Sequence, residues 1–216
     1  INQIVEKTLY ETLLANDNFT WERATNYNIG MDVTFLRGKF DATFEYFYNN
    51  RGDILIDNQS STPASSGISS LLPPVNEGRL INKGFEFALT YNHSTSNIRW
   101  DAGINGGYAR NEVKHWDDVP GIPEYQTKAG RPIDAHFVFL SNGVFYNQEE
   151  IAAETLDYSG VTGQLIPGDL KILDYNGDGV INADDRVRMM HNTEPTFNFG
   201  ATFNMQWKRF DLNILF

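Results

Sequence analysis

The stretch Phe197-Asn198-Phe199-Gly200-Ala201-Thr202-Phe203-Asn204-Met205-Gln206-Trp207 alternates strictly: Phe197, Phe199, Ala201, Phe203, Met205 and Trp207 fall on one side, with Asn198, Gly200, Thr202, Asn204 and Gln206 on the other. A period of two is the mark of a β-strand with one apolar and one polar face. Lys208 and Arg209 alone separate it from a second alternating run, in which Phe210, Leu212 and Ile214 oppose Asp211 and Asn213. The two runs predict an antiparallel hairpin whose apolar side continues across both strands.

The same pattern recurs four times further back. Residues 27–35 set Tyr27, Ile29, Met31, Val33 and Phe35 against Asn28, Gly30, Asp32 and Thr34. Residues 40–49 set Phe40, Ala42, Phe44, Tyr46 and Tyr48 against Asp41, Thr43, Glu45 and Asn49, with Phe47 breaking the polar face. Residues 85–92 and 98–111 follow suit, the latter with Trp100, Ala102, Ile104 and Tyr108 opposite Asp101, Gly103, Asn105 and Ala109. The chain is therefore expected to be all-β, with six antiparallel strands whose apolar faces carry no charge. Such faces suit lipid, where Arg or Lys at the midplane would cost about 2–4 kcal/mol. They suit equally the core of a soluble sandwich, whose strands alternate in the same way.

The connections discriminate better. Strands ending near residues 36, 92 and 207 turn back through short links (37–39, 93–97 and 208–209), whereas the opposite edge carries long ones (about 50–84, 112–134 and much of 141–195). Short turns on one rim, long loops on the other and aromatics gathered towards strand ends are features of outer-membrane barrels. The strand after residue 195 must start on the long-loop side, so an even number of crossings lies between residues 112 and 196. Residues 136–140 and 169–173 are expected to be β-structure inside an extracellular excursion spanning 112–196, and the Ser/Gly/Pro-rich residues 59–74 an exposed loop tip.

Composition narrows the function. The 28 acidic against 17 basic side chains, a formal charge of -11, oppose binding to phosphate backbones, so nucleic acid is excluded as a partner. Absence of cysteine removes disulfides and thiolate chemistry. No run reaches the 18 apolar residues of a membrane-spanning helix, a criterion that does not touch barrels, and residues 1–14 lack a signal-peptide layout. With Leu212 to Phe216 reading as a strand in progress, the whole chain, residues 1–216, is read as a fragment of a larger domain.

One segment carries specific chemistry. Asp174-Tyr175-Asn176-Gly177-Asp178-Gly179-Val180-Ile181-Asn182-Ala183-Asp184-Asp185 fits the twelve-residue calcium-loop template. Asp174, Asn176 and Asp178 would supply side-chain oxygens, Gly179 the sharp turn, Val180 a carbonyl, Asn182 a direct or water-borne oxygen and Asp185 a carboxylate where glutamate is usual. Ile181 would anchor the loop in apolar structure, and calcium would brace the loop rather than switch it. The same residues also read as a tight turn rich in types tolerant of left-handed backbone angles. Residues 168–173 look extended, so a helix-flanked hand is not expected.

No catalytic constellation appears, and no enzyme is expected. His93, His115, His136 and His191 lack metal or triad spacing. Serines cluster without a nucleophile elbow. Asp32, Asp41, Glu45, Glu86 and Asp101 lie on different strands and read as the lining of a wet lumen. Trp116, Tyr125 and Tyr146 could stack on sugar rings, although ordinary loop packing is the commoner use of such residues.

Several segments resemble the SusC/RagA family of TonB-dependent outer-membrane transporters, in the family's order: Asn16 to Glu22, Asn76 to Arg79 with Asn82 to Glu86, Asn142 to Phe145, Asn147 to Glu150 and, most specifically, Ile166 to Lys171 leading through Asp174 to Arg186. The chain departs from the family at Asn182, where Asp is commoner, and after Arg186. The resemblance implies a segment of an antiparallel transmembrane β-barrel of twenty-two strands with a plug. It also implies a SusD-like surface lipoprotein lid, energy from TonB, an oligosaccharide or peptide substrate and residence among outer-membrane lipids. Plug and TonB contact would lie outside these residues, and six strands would leave open edges that cannot stand alone in lipid. The rival readings are a soluble or cell-surface β-sandwich that binds glycans and is braced by calcium, and a fragment of a secreted glycoside hydrolase.

Overall fold

The computed structural model describes residues 13–216; most of the opening stretch read above for signal-peptide layout lies outside them. In chain order the strands are β1 (Arg23–Phe35), β2 (Phe40–Ile56), β3 (Val75–Ser94), β4 (Ile98–His115), β5 (Phe137–Phe139), β6 (Ser141–Val144), β7 (Leu170–Ile172), β8 (Arg186–Arg188), β9 (Phe197–Trp207) and β10 (Phe210–Leu215), with one helix, α1 (Gln148–Ala152). The chain divides into two compact units. One comprises the residues up to Pro120 together with Pro195–Phe216, the other Gly121–Glu194.

The first unit is a six-stranded antiparallel sheet in the order β1-β2-β3-β4-β9-β10. β4 pairs directly with β9, in register from Ile98↔Trp207 to Tyr108↔Phe197. The residues between them therefore add no strand to this sheet. Its turns follow from local chemistry: Leu36 and Arg37 take positive φ (52° and 61°) ahead of Gly38 (79°), and Lys208 does the same (56°) in the two-residue β9–β10 link. Asn76 stitches the far end, its amide donating to the carbonyls of Thr20 and Asp53 (both 2.8 Å) beside the irregularity in β2–β3 pairing.

Residues directly opposite in the ladder share a face, so the register assembles one apolar surface from Phe35, Phe40, Tyr91, Ala102 and Phe203 through Leu89, Ile104 and Ala201 to Tyr27 and Tyr48. Nothing among the described residues covers it: Ile29 is 72% exposed, Met31 61% and Phe199 50%. The β-sandwich alternative is overturned by this, because a sandwich must bury that face against a second sheet. Rings form a row across the short-turn end, Phe35 to Phe40 (5.1 Å), Phe40 to Tyr91 (4.8 Å), Tyr91 to Trp100 (5.1 Å) and Trp100 to Phe203 (6.0 Å).

The sequence reading of a face without charge is corrected at one edge. Lys83 pairs with Arg110, and both share the side of Tyr48 and Tyr108. From that row to the His93–Trp100 row is ten residues, about 34 Å along a strand. At a tilt of about 40° this spans about 26 Å, close to the roughly 25 Å apolar band of a barrel. Charge thus begins where an apolar band of barrel height ends.

Two strands also outrun their sequence signal. β2 continues to Ile56 and β3 begins at Val75, leaving residues 57–74 as the loop rather than 50–84. Backbone pairing needs no alternation once a strand has left lipid, so the ladder persists after the pattern stops. Gly84 shows how tightly β3 and β4 approach: a Cβ there would lie 2.0 Å from the Tyr108 carbonyl oxygen and 2.7 Å from the Phe47 ring. Phe47, the aromatic on the polar face, occupies the space over this glycine.

The second unit holds two small sheets, β5 with β8 and β6 with β7. Its core is Phe145, Tyr158 and Ile181, against which Phe139, Ile151, Leu156, Leu165 and Ile172 pack. Arg186 and Arg188 lie over the rings of Phe139 and Phe137 at 5.0 and 4.7 Å. α1 is capped by Asn147, whose side chain accepts from Glu150 N–H, while Glu150 accepts from Tyr146 N–H (3.1 Å) and Lys171 Nζ (2.8 Å).

Candidate functional site

The polar face of the six-stranded sheet is a continuous hydrogen-bonding wall. Thr34 Oγ1 donates to Asp41 (2.7 Å), Thr43 Oγ1 to Asp32 (2.8 Å), Asn92 Nδ2 to Asp41 (2.8 Å), Asn204 Nδ2 to Asp101 (2.8 Å) and Asn28 Nδ2 to Glu45. Each donor is a neutral amide or hydroxyl on a neighbouring strand, which holds the geometry of the carboxylates. Glu45 and Glu86 face each other across β2 and β3. Beside them the absent side chain of Gly107 leaves a hollow of about 330 Å³ lined by Thr43, Glu45, Glu86, Asn105 and Asn198. The sequence identified the carboxylates but not their donors, because only the register shows which Asn or Thr lies opposite each one.

The calcium-type loop runs from the end of β7 into a single 3-10 turn over Ala183–Asp185 and on into β8, so among the described residues strands rather than α-helices flank it. Asp174 Oδ1 accepts from the N–H groups of Gly177 (2.7 Å) and Asp178 (3.2 Å), and Oδ2 from Gly179 (2.8 Å). Asn176 accepts from Asp178 N–H (3.0 Å) and donates to Asp178 Oδ2 (2.9 Å), while Asp178 Oδ1 accepts from Val180 N–H (2.8 Å). Asn182 caps the 3-10 turn through Asp184 N–H (2.7 Å). Ile181 is fully buried in the unit's core and bonds to Asp157 O (2.8 Å).

Asp185 has a specific structural job. It is fully buried, with Oδ1 accepting from Tyr175 N–H (2.8 Å) and Oδ2 from Asn182 N–H (2.9 Å). Its carboxylate is thereby spent on the backbone, and no three His, Asp or Glu side chains converge as a ligand set among the described residues. The fit to calcium is consequently partial: Asn176 and Asp178 are exposed and Asp174 half-buried, with oxygen donors suited to a hard cation, but position twelve serves the loop itself. Tyr125 braces this loop, donating from its hydroxyl to Asp184 O (2.9 Å) and standing edge-on to Tyr175 at 4.6 Å. Its hydroxyl pKa lies above the ordinary 10.0, through desolvation first and then the carboxylates of Asp185 and Asp184. Tyr146 projects into solvent at 78% exposure.

Comparison with known proteins places these features. The family model for "TonB dependent receptor-like, beta-barrel" matches residues 7–214. A TonB-dependent receptor of Formosa agariphila is 28% identical over 94% of this chain and 20% of its own length. The TonB-dependent receptor SusC of Bacteroides thetaiotaomicron is 26% identical over 92% of this chain and 19% of its own. The RagAB peptide transporter structure superposes with a TM-score of 0.62 at 19% identity, covering 93% of this chain and 21% of the matched one. The chain thus spans about a fifth of the length of the relatives it matches.

Proposed function

The chain belongs to the TonB-dependent receptor β-barrel family of the bacterial outer membrane, a family of receptors rather than enzymes, and from this we propose that it forms wall and outer loops of an importer for large nutrients. One observation carries the proposal: a single sheet presents an uncovered apolar band about 26 Å tall on one side and a hydrogen-bonded polar wall on the other. Such a sheet separates hydrocarbon from an aqueous lumen. Neutral amides and hydroxyls interleaved with carboxylates suit a neutral hydrogen-bonding polymer, so the substrate proposed is an oligosaccharide or peptide. A SusD-like surface lipoprotein would close the outer mouth, and TonB would act through parts of the protein outside this chain. Calcium is proposed as a structural brace of the 174–185 loop, held by Asp174, Asn176, Asp178 and the Val180 carbonyl, with Asn182 and Asp185 closing the loop from within.

The test is uptake of labelled oligosaccharides and oligopeptides by cells that carry or lack the full-length receptor, each with and without TonB. Uptake of one class should require both proteins. Uptake that survives deletion of the receptor overturns the proposal.

A further inference from the structure

The three short turns of the six-stranded sheet share a property that the wall function does not use. Residues 36–39 carry Arg37 and Lys39, the β3–β4 turn is flanked by His93 and Arg99, and the β9–β10 link is Lys208-Arg209. None of these links contains an acidic residue, in a chain with a formal charge of -11. At the opposite end three of the sheet's cations are paired, Arg23 with Asp53, Arg51 with Glu22 and Lys114 with Glu112. At the short-turn rim Arg37, Lys39, Arg99 and Arg209 form no ion pair among the described residues, and all four are exposed.

The same rim carries the aromatic row. His93 stacks against Tyr91 (6.4 Å) and lies tilted against Trp100 (5.5 Å), and the Lys208 ammonium lies 5.1 Å from the centroid of the Trp207 ring. Between the first two turns an open hollow of about 480 Å³ is lined by Lys39, Asn92 and Arg99 from the polar side of the strands, together with Arg37, His93 and Trp100. Asp101 is the one carboxylate on its wall, and that group already accepts from Asn204. The rim lies at the edge of the apolar band, which is the depth of headgroups.

We propose that this rim docks anionic phospholipid headgroups of the leaflet facing the short turns, with phosphate seated against Arg37, Lys39, Lys208 and Arg209 and acyl chains running along the aromatic row. Charge complementarity selects the anion, and the ring row, continuous with the apolar face, selects a lipid over an acidic protein. Each basic side chain near an anionic membrane surface is worth about fivefold in affinity. Several acting together would hold a shell of lipid around this segment and fix its height in the membrane.

The test uses the full-length receptor in detergent with added phosphatidylglycerol or phosphatidylcholine, reading retained lipid by native mass spectrometry and the thermal shift. Wild type should prefer phosphatidylglycerol, and high salt should abolish the preference by screening. Replacing Arg37, Lys39, Lys208 and Arg209 together by Gln should lower it at least tenfold, by about fivefold for each side chain that engages, whereas Arg51→Gln should leave it intact. An unchanged preference in the fourfold variant, salt-insensitive retention by wild type, or an equal thermal shift from inorganic phosphate alone would overturn the proposal.

Discussion

Asp185 Oδ1 accepts the backbone N–H of Tyr175 at 2.8 Å from a fully buried position, so the last carboxylate of the loop ties down its second residue. Replacing it by alanine strands the amides of Tyr175 and Asn182, at about 1–3 kcal/mol for each buried donor left unpaired. Asp185→Ala should therefore accelerate hydrogen exchange across residues 174–186 in the full-length protein, and Asp185→Asn, which keeps one acceptor oxygen, should do so less. Exchange unchanged in the alanine variant would show that the cap carries no stability.

Calcium has to be tested with substitutions that spare the backbone caps. Asp174→Ala removes the acceptor of three N–H groups and would weaken the loop whether or not an ion binds. Asp178→Asn keeps an oxygen for Val180 N–H while removing a charge. Wild type should gain thermal stability on adding calcium, Asp178→Asn should lose most of that gain, and the two should melt alike in chelator. A wild type indifferent to calcium removes the ion from the account.

The lipid face predicts an asymmetry between neighbours. Ile104 lies opposite Leu89 and Ala201 near the middle of the apolar band, and Asn105 points the other way. Ile104→Arg should cost about 2–4 kcal/mol and reduce the heat-modifiable folded band of the full-length receptor in outer membranes, while Asn105→Arg should assemble normally. Equal yields of both would contradict the assignment of faces.

What the sequence made legible was the part of each strand with strict alternation. Residues 197–207 were read to their observed bounds because alternation covers the whole of β9, whereas β2 beyond Asn49 and β3 before Phe85 gave no signal, since alternation lapses there and the ends are joined by contacts such as those of Asn76 that only the register reveals. Within the second unit, Phe145, Tyr158 and Ile181 meet from three distant places without any period to announce them. The loop template named Asp174, Asn176 and Asp178 as oxygen donors. It could not reveal that Asp185 is enclosed, because burial depends on the structure packed around the turn.

Close backbone approach gives a sharper test of β3–β4 pairing. Gly84→Ala would drive a methyl group into the Tyr108 carbonyl, which cannot move without breaking the ladder. Gly103→Ala meets most closely the hydroxyls of Thr202 at 2.9 Å and Thr90 at 3.3 Å, both of which can rotate. The first should cost at least the roughly 1–3 kcal/mol of an overpacked site and lower the heat-modifiable band, and the second should cost less. The reverse order would show that this crossing is looser than the register implies.

Acid sensitivity of the second unit should trace in part to Glu150. Lys171 Nζ, hydrogen-bonded at 2.8 Å, and then Tyr146 N–H hold its carboxyl below the ordinary value of 4.5, against a smaller opposing effect of desolvation. A carboxylate whose folded pKa is depressed contributes its stability above the ordinary value and loses it as pH falls through the depressed one. Proteolysis of residues 145–172 in the full-length receptor should therefore quicken as pH drops below 4.5, and Glu150→Gln should flatten that dependence. Lys171→Met should flatten it too, because it removes the ammonium that bonds to Glu150 while keeping a side chain of similar length beside the Phe145 ring. If both variants follow the wild-type curve, the pair does not set the acid response, and protonation elsewhere in the unit must open it.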